Sequence, residues 1–143
     1  MEPRISIITL GVKDLKKSYK FYHEGLGIPT SSKSDDAIIF LKTNGTCLAL
    51  YPFDELAKDI KGKSSKEKPE FTGITLAHNT KTKEEVKQVL ELAKNAGGKI
   101  EKEAQNASWG GYHGYFSDPD GYLWEVAYAD FWEFNDDGSL KIK

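Results

Sequence analysis

His113, Tyr115 and Glu125 lie on the two arms of the segment Asp118-Pro119-Asp120-Gly121. Pro suits the second position of a type I turn, and Gly121 suits the left-handed bulge position that completes a three-residue hairpin loop. Asp118 then pairs with Tyr122, and counting outward sets Phe116 opposite Trp124, Tyr115 opposite Glu125 and His113 opposite Ala127. Residues opposite one another in a hairpin share a face. Phe116, Tyr122, Trp124 and Val126 make an apolar aromatic face suited to a core, whereas His113, Tyr115, Leu123 and Glu125 make the other. A carboxylate set between apolar neighbours loses hydration when ionised, which suits a group that takes up and returns a proton. An imidazole beside it can shuttle a proton near neutral pH, and a phenol can hydrogen-bond a substrate oxygen. Glu125, His113 and Tyr115 are therefore the candidate catalytic residues. The structural alternative is that Glu125 only accepts hydrogen bonds from Tyr115 or His113.

A second hairpin is marked by Asn44-Gly45, a preferred pair for a two-residue turn. It pairs Lys42 with Cys47, Phe40 with Ala49 and Ile38 with Tyr51, leaving Ile39, Leu41, Leu48 and Leu50 for the core. In two leading runs, 5–12 and 71–77, the sides carrying Ile8, Leu10, Val12 and Ile74, Leu76 read as core. The opposite sides, Ile7, Thr9, Gly11 and Gly73, Thr75, Ala77, are mostly small and suit a cavity wall. Candidate ligand contacts are therefore Ile7, Thr9, Phe40, Cys47, Ala49, Tyr51, Gly73, Thr75, Trp109 and Leu123. Tyr51, Phe40, Tyr115 and Trp109 could stack on a flat or apolar ligand or simply fill the space themselves. Cys47 has no neighbour in sequence that marks it as an activated thiol. Trp109-Gly110-Gly111-Tyr112 precedes a strand instead of opening a helix, so it lacks the geometry of a phosphate cradle and reads as flexible backbone near a ligand.

These faces need elements to hold them. The strand 5–12 gives way to helical spacing at Leu15, Tyr19 and Tyr22, ended by Gly25 and Gly27, and the hairpin strands follow. Residues 71–77 open a second series. Its helix starts at a capping box, Thr82-Lys83-Glu84-Glu85, buries Val86, Val89, Leu90 and Ala93, and stops at Gly97-Gly98. An outer strand over 99–103 and the hairpin 111–128 complete it. Both halves read β-α-β-β-β, and Ile8-Thr9-Leu10 recurs as Ile74-Thr75-Leu76. Between them, residues 54–69 are Lys- and acid-rich and read as a linker with one candidate helical turn near Leu56. Residues 131–143 form a C-terminal extension with Asp137-Gly138 as a turn.

The chain has 143 residues, 38% hydrophobic and 29% charged, enough for a real core without disulfides or structural metal. A formal net charge of -2 argues against a broad grip on nucleic acid. The single cysteine, Cys47, gives no disulfide framework, and no long apolar run is present, so a cytoplasmic location without membrane contact is expected.

Together these features resemble the vicinal oxygen chelate superfamily, which includes glyoxalase I, bleomycin-resistance proteins and extradiol dioxygenases. The resemblance is carried by Val12-Lys13-Asp14-Leu15, Phe21-Tyr22 and Gly25-Leu26-Gly27, and above all by Asp118-Pro119-Asp120-Gly121-Tyr122-Leu123-Trp124-Glu125-Val126. It implies an α+β fold of two tandem βαβββ modules forming a curled, incomplete β-barrel with a central cleft. One domain over 4–130 would comprise modules 4–53 and 70–130, and a homodimer is expected. Metal-using relatives carry ligands at positions that fall here on Ile7, Ala49, Gly73 and Glu125. Hydrocarbon or hydrogen at three of the four cannot hold a divalent ion, so no cofactor is expected. The resemblance thus implies a small-molecule protein, read first as a metal-independent lyase, isomerase or hydrolase using Glu125 as acid and base. The alternative is a non-catalytic binding protein of the antibiotic-resistance kind; a metal-dependent lyase or dioxygenase is the third reading.

Overall fold

Alternation of apolar and small residues builds β1 (Ile7–Val12), and Asp14 then caps α1 (Leu15–Tyr19), its carboxylate accepting from the Lys17 amide at 3.0 Å. The computed structural model describes residues 1–61 and 69–142. Two compact units are found, Met1–Pro69 and Glu70–Lys143, and the fold is α+β.

In the first unit α1 continues as a wider π-helical turn, Lys20–Gly25, which buries the adjacent rings of Phe21 and Tyr22. Next come β2 (Ile39–Lys42) and β3 (Cys47–Pro52), joined at Asn44-Gly45 in the expected register, with Lys42 opposite Cys47 and Phe40 opposite Ala49. Gly45 has φ +83°, as the turn requires. β1 runs parallel to β3, giving the order β1-β3-β2. Leu10, Val12, Ile39, Leu41, Leu48 and Leu50 form the core as expected, whereas Ile8 is only half-buried.

The remaining strand position of this module is a single bridge, Thr30 opposite Leu41. Its polar sequence explains why. The Thr30 hydroxyl donates to the Phe40 carbonyl at 2.6 Å and the Phe40 amide donates to the Ser32 hydroxyl at 3.1 Å, so side chains replace a ladder along this edge of β2. The expected linker also differs. Phe53–Lys61 is a helix, α2, longer than the one turn expected near Leu56; residues 62–68 of that linker lie outside the described residues. A Cβ on Gly11 would lie 2.8 Å from the Phe53 ring and 3.3 Å from Leu56, so α2 packs on the side of β1 read as cavity wall.

The second unit contains β4 (Thr75–Asn79), α3 (Lys83–Asn95), β5 (Lys99–Asn106), β6 (Tyr112–Ser117) and β7 (Leu123–Tyr128), with sheet order β4-β7-β6-β5. The capping box is formed by Thr82 and Glu85. Val86, Leu90 and Ala93 are buried, and Val89 is half-buried. α3 lies on the face of Gly114, Phe116 and Val126, so close that a Cβ on Gly114 would stand 2.6 Å from Leu90 Cδ1. β4 starts later than the expected 71–77, because Gly73 sits at φ +75° and breaks the extended backbone before Thr75. Ile74, read as core, is 61% exposed. No described helix is long and apolar enough to cross a membrane.

Candidate functional site

The Asp118–Gly121 turn has the geometry its sequence dictates. The Asp118 amide donates to the Tyr122 carbonyl at 3.0 Å, the Gly121 amide to the Asp118 carbonyl at 3.0 Å, and Gly121 has φ +84°. Register follows from the turn: Phe116 pairs with Trp124, Tyr115 with Glu125 and His113 with Ala127. β4 adds Ala77 beside Glu125 and Thr75 beside Leu123. His113, Tyr115, Leu123 and Glu125 therefore share one face, opposite the face that α3 covers.

On that face the polar groups form a chain. His113 Nδ1 lies 2.6 Å from Glu125 Oε1, and His113 Nε2 lies 3.1 Å from Lys102 Nζ. An ammonium has three donors and no acceptor, so Nε2 must accept. Nδ1 then carries the imidazole proton and donates it to the carboxylate. The two partners fix one tautomer and one ring orientation, as charge-assisted bonds to both nitrogens do. His113 is 7% exposed, while the Glu125 side chain retains 22%. Burial holds the Tyr115 phenol above its ordinary range, reinforced by the negative charge of Glu125 and by its hydrogen bond to that carboxylate. Tyr115 is thus kept as a proton-bearing donor, not a base.

Lys102 escaped the sequence reading for a definite reason. β5 pairs Ile100 with Phe116 but Lys102 with Tyr115, so one extra residue, Glu101, is inserted there, and a second irregularity follows before Gln105 meets His113. Regular pairing would have set Glu101 opposite Tyr115; the bulge sets a lysine there instead. Glu101 accepts from the Ser117 hydroxyl at 2.8 Å and from Lys99 at 3.1 Å, and these bonds hold its carboxyl below the usual range.

Trp109 stands edge-on to His113, with ring centroids 5.7 Å apart at 89°, and His113 stands edge-on to Tyr115 at 5.6 Å. The glycines beside Trp109 permit close approach: Gly110 has φ +97°, and a Cβ on Gly111 would fall 1.9 Å from the Trp109 ring. Trp132 of the C-terminal extension, which the sequence reading missed, stacks on Trp109 at 5.6 Å and 27°.

Other candidates are placed differently. Gly73 lies outside β4 and belongs to no strand face. In the first unit, Ile7 pairs with Cys47 and Thr9 with Ala49, with Phe40 across from Ala49 and Gly11 beside Tyr51, so the expected face is formed. Ile7 is 50% exposed, Thr9 and Phe40 are exposed, and Cys47 and Tyr51 are half-buried, but Ala49 is fully covered. Cys47 Sγ contacts the carbonyl oxygens of Leu41 and Leu48 at 3.5 and 3.7 Å.

A family model described as Glyoxalase/Bleomycin resistance protein/Dioxygenase superfamily matches residues 4–126. The chain belongs to this superfamily. A crystal structure of a glyoxalase-related enzyme from Fulvimarina pelagi is 35% identical, with TM-score 0.88 and 98% of each chain covered. A glyoxalase/bleomycin resistance protein/dioxygenase from Nocardioides is 24% identical, TM-score 0.73, covering 90% of this chain and 84% of that one. Lactoylglutathione lyase from Agrobacterium tumefaciens is 20% identical, TM-score 0.69, covering 94% and 100%. The last two likenesses concern the fold alone. Comparison with curated proteins gives no match.

The resemblance to metal-using glyoxalases raises the question of a divalent ion. Ile7, Ala49 and Gly73 offer no side-chain donor atom, and Oε1 of Glu125 is already engaged by His113. Among the described residues no three His, Cys, Asp or Glu side chains cluster closely enough to hold an ion. The donor set does not fit a divalent metal, which needs three or four such ligands.

Proposed function

We propose that this superfamily member is a small-molecule enzyme of lyase, isomerase or hydrolase type that works by proton transfer without a metal. The observation that carries this reading is the continuous chain Lys102 Nζ, His113 imidazole, Glu125 carboxylate, with spacings of 3.1 and 2.6 Å. Glu125 takes a proton from a carbon next to a substrate carbonyl and later returns it. His113 orients the carboxylate and stabilises its charge. As electron density moves to the carbonyl oxygen, the Tyr115 hydroxyl, released from Glu125 as that carboxylate takes up the proton, and a free N–H of Lys102 donate to it. Such preorganised donors act where charge develops, and a positioned acid or base typically contributes about 100- to 10,000-fold.

A second reading has its own observation. Glu125 already accepts from both His113 and Tyr115, which is how a purely structural carboxylate would be satisfied. The protein would then hold a ligand without converting it.

One experiment separates the two. Candidate carbonyl compounds are titrated against tryptophan fluorescence, and each binder is tested for solvent-deuterium incorporation by the native chain and by Glu125→Gln. Exchange that falls on the order of 100-fold or more in Glu125→Gln, with binding retained, supports the enzyme. Binding without exchange in the native chain supports the sequestering protein.

A homodimer and a cytoplasmic location belong to the same proposal. Support for the dimer comes from β1 and β4, each an edge of its sheet, with Ile7 exposed on β1 and Ile74 exposed just before β4. Sedimentation at working concentration should give twice the chain mass, and a monomer would remove this part.

A further inference from the structure

We propose that Trp132, carried by the segment after β7, is a positioning residue for His113: it clamps Trp109 against the imidazole and keeps water from the Nδ1–H bond to Glu125. The family match ends at residue 126, so this segment lies outside the residues matched by the family model. It is nevertheless ordered by its own bonds. The Asn135 amide donates to the Ser139 carbonyl at 2.8 Å, the Gly138 amide to the Asn135 carbonyl at 3.0 Å and the Lys141 amide to the Glu133 carbonyl at 2.8 Å. Phe134 bridges Leu140, and the Asp137 carboxylate accepts from the Ser139 hydroxyl at 2.6 Å. This small hairpin is tethered to the start of α3, where Lys81 Nζ lies 5.9 Å above the Phe134 ring and the Lys81 amide donates to Glu85 at 2.7 Å.

Trp132 stands just before this hairpin, its amide donating to the Ala129 carbonyl at 3.3 Å. Its indole stacks on Trp109 at 5.6 Å, and Trp109 in turn meets the His113 ring edge-on at 5.7 Å. Gly110 and Gly111 impose no side-chain barrier on Trp109, which is 43% exposed. Without Trp132 the Trp109 indole would lose its stacking partner. Removing that stacking lets Trp109 swing away on its glycines. His113 Nδ1 would then open to solvent while its partners Lys102 and Glu125 stay in place.

This assignment concerns the surroundings of His113 and holds whether the site turns over a ligand or only binds one. The test uses the full chain. Stacked indoles give an exciton couplet in circular dichroism, expected in the native protein and lost in Trp109→Ala and Trp132→Ala. Exchange of the His113 Nδ1 proton, read by imidazole NMR, should accelerate on the order of tenfold in Trp132→Ala, as expected when a local cover opens. Trp132→Phe should stay near the native rate, since a phenyl ring still covers Trp109. Unchanged exchange in a folded Trp132→Ala would overturn the proposal, and so would absence of the couplet from the native protein, whichever variants fold.

Discussion

Lys102 stands opposite Tyr115 because β5 holds one residue more than β6 between this pair and the pair Ile100–Phe116. That insertion delivers a cation to a face that otherwise carries a carboxylate, an imidazole and a phenol. Lys102 is exposed, so its bond to His113 Nε2 contributes little to folding. Lys102→Met should therefore change stability by less than about 1 kcal/mol. Nε2 loses its donor, however, and its NMR resonance should move to the position of a nitrogen without a protein partner. Retention of the native resonance in Lys102→Met would show that the bond does not form in solution.

Tyr115 offers a pH test. Burial is the largest cause of its raised ionisation, followed by the charge of Glu125 and the hydrogen bond to it. The folded state thus binds the phenolic proton more tightly than the unfolded chain does. This contribution to stability is complete below pH 10.0, the ordinary value, and is lost as pH rises through the higher folded value. Spectrophotometric titration of the native chain against Tyr115→Phe isolates the phenolate of interest. In Glu125→Gln the midpoint should fall but remain above the ordinary value, because burial persists. A midpoint unmoved by Glu125→Gln would mean that the carboxylate does not face the phenol.

The hairpin half of this site is legible in the letters because Pro119 and Gly121 fix one turn, and one turn fixes every pair along both strands. Phe116–Trp124, Tyr115–Glu125 and His113–Ala127 all follow by counting. Lys102 does not, since a bulge shifts register without leaving a glycine or proline to mark it. Trp132 does not either, because its neighbour Trp109 is distant in sequence and meets it only through tertiary packing. α2 was obscured by composition: Phe53 and Leu56 are two apolar anchors among charges, and their partner is the absent side chain of Gly11. At β4 the error ran the other way, as Ile74 has the residue type of a core strand while Gly73 breaks the extended backbone just before it.

Two glycines next to the site should respond differently to alanine. At Gly114 the added methyl would meet Leu90 Cδ1 at 2.6 Å and the Lys102 carbonyl at 2.8 Å, so backbone as well as side chain must yield. Overpacking of this kind costs about 1–3 kcal/mol, and Gly114→Ala should be at the upper end, with α3 pushed off the sheet. At Gly111 the three atoms nearest the added methyl all belong to the Trp109 ring. That ring can rotate outward, so Gly111→Ala should cost less in denaturant unfolding yet alter tryptophan fluorescence more. The opposite ranking, a larger stability loss at Gly111, would show that the indole is held more rigidly than the helix.

The edge of β2 gives a prediction about side chains standing in for a strand. The Thr30 hydroxyl donates to the Phe40 carbonyl at 2.6 Å and also accepts from the Ser32 amide at 3.0 Å, while the Ser32 hydroxyl accepts from the Phe40 amide at 3.1 Å. A net hydrogen bond is worth about 0.5–1.5 kcal/mol, and these lie at a partly wet edge where water can replace them. Thr30→Val should therefore cost about 1 kcal/mol and Ser32→Ala somewhat less. The two hydroxyls hold one peptide edge between them, so the double variant should lose less than the sum of the singles, as coupled sites do. Strict additivity in urea unfolding would mean that the two bonds act independently and that the loop is not organised around Phe40.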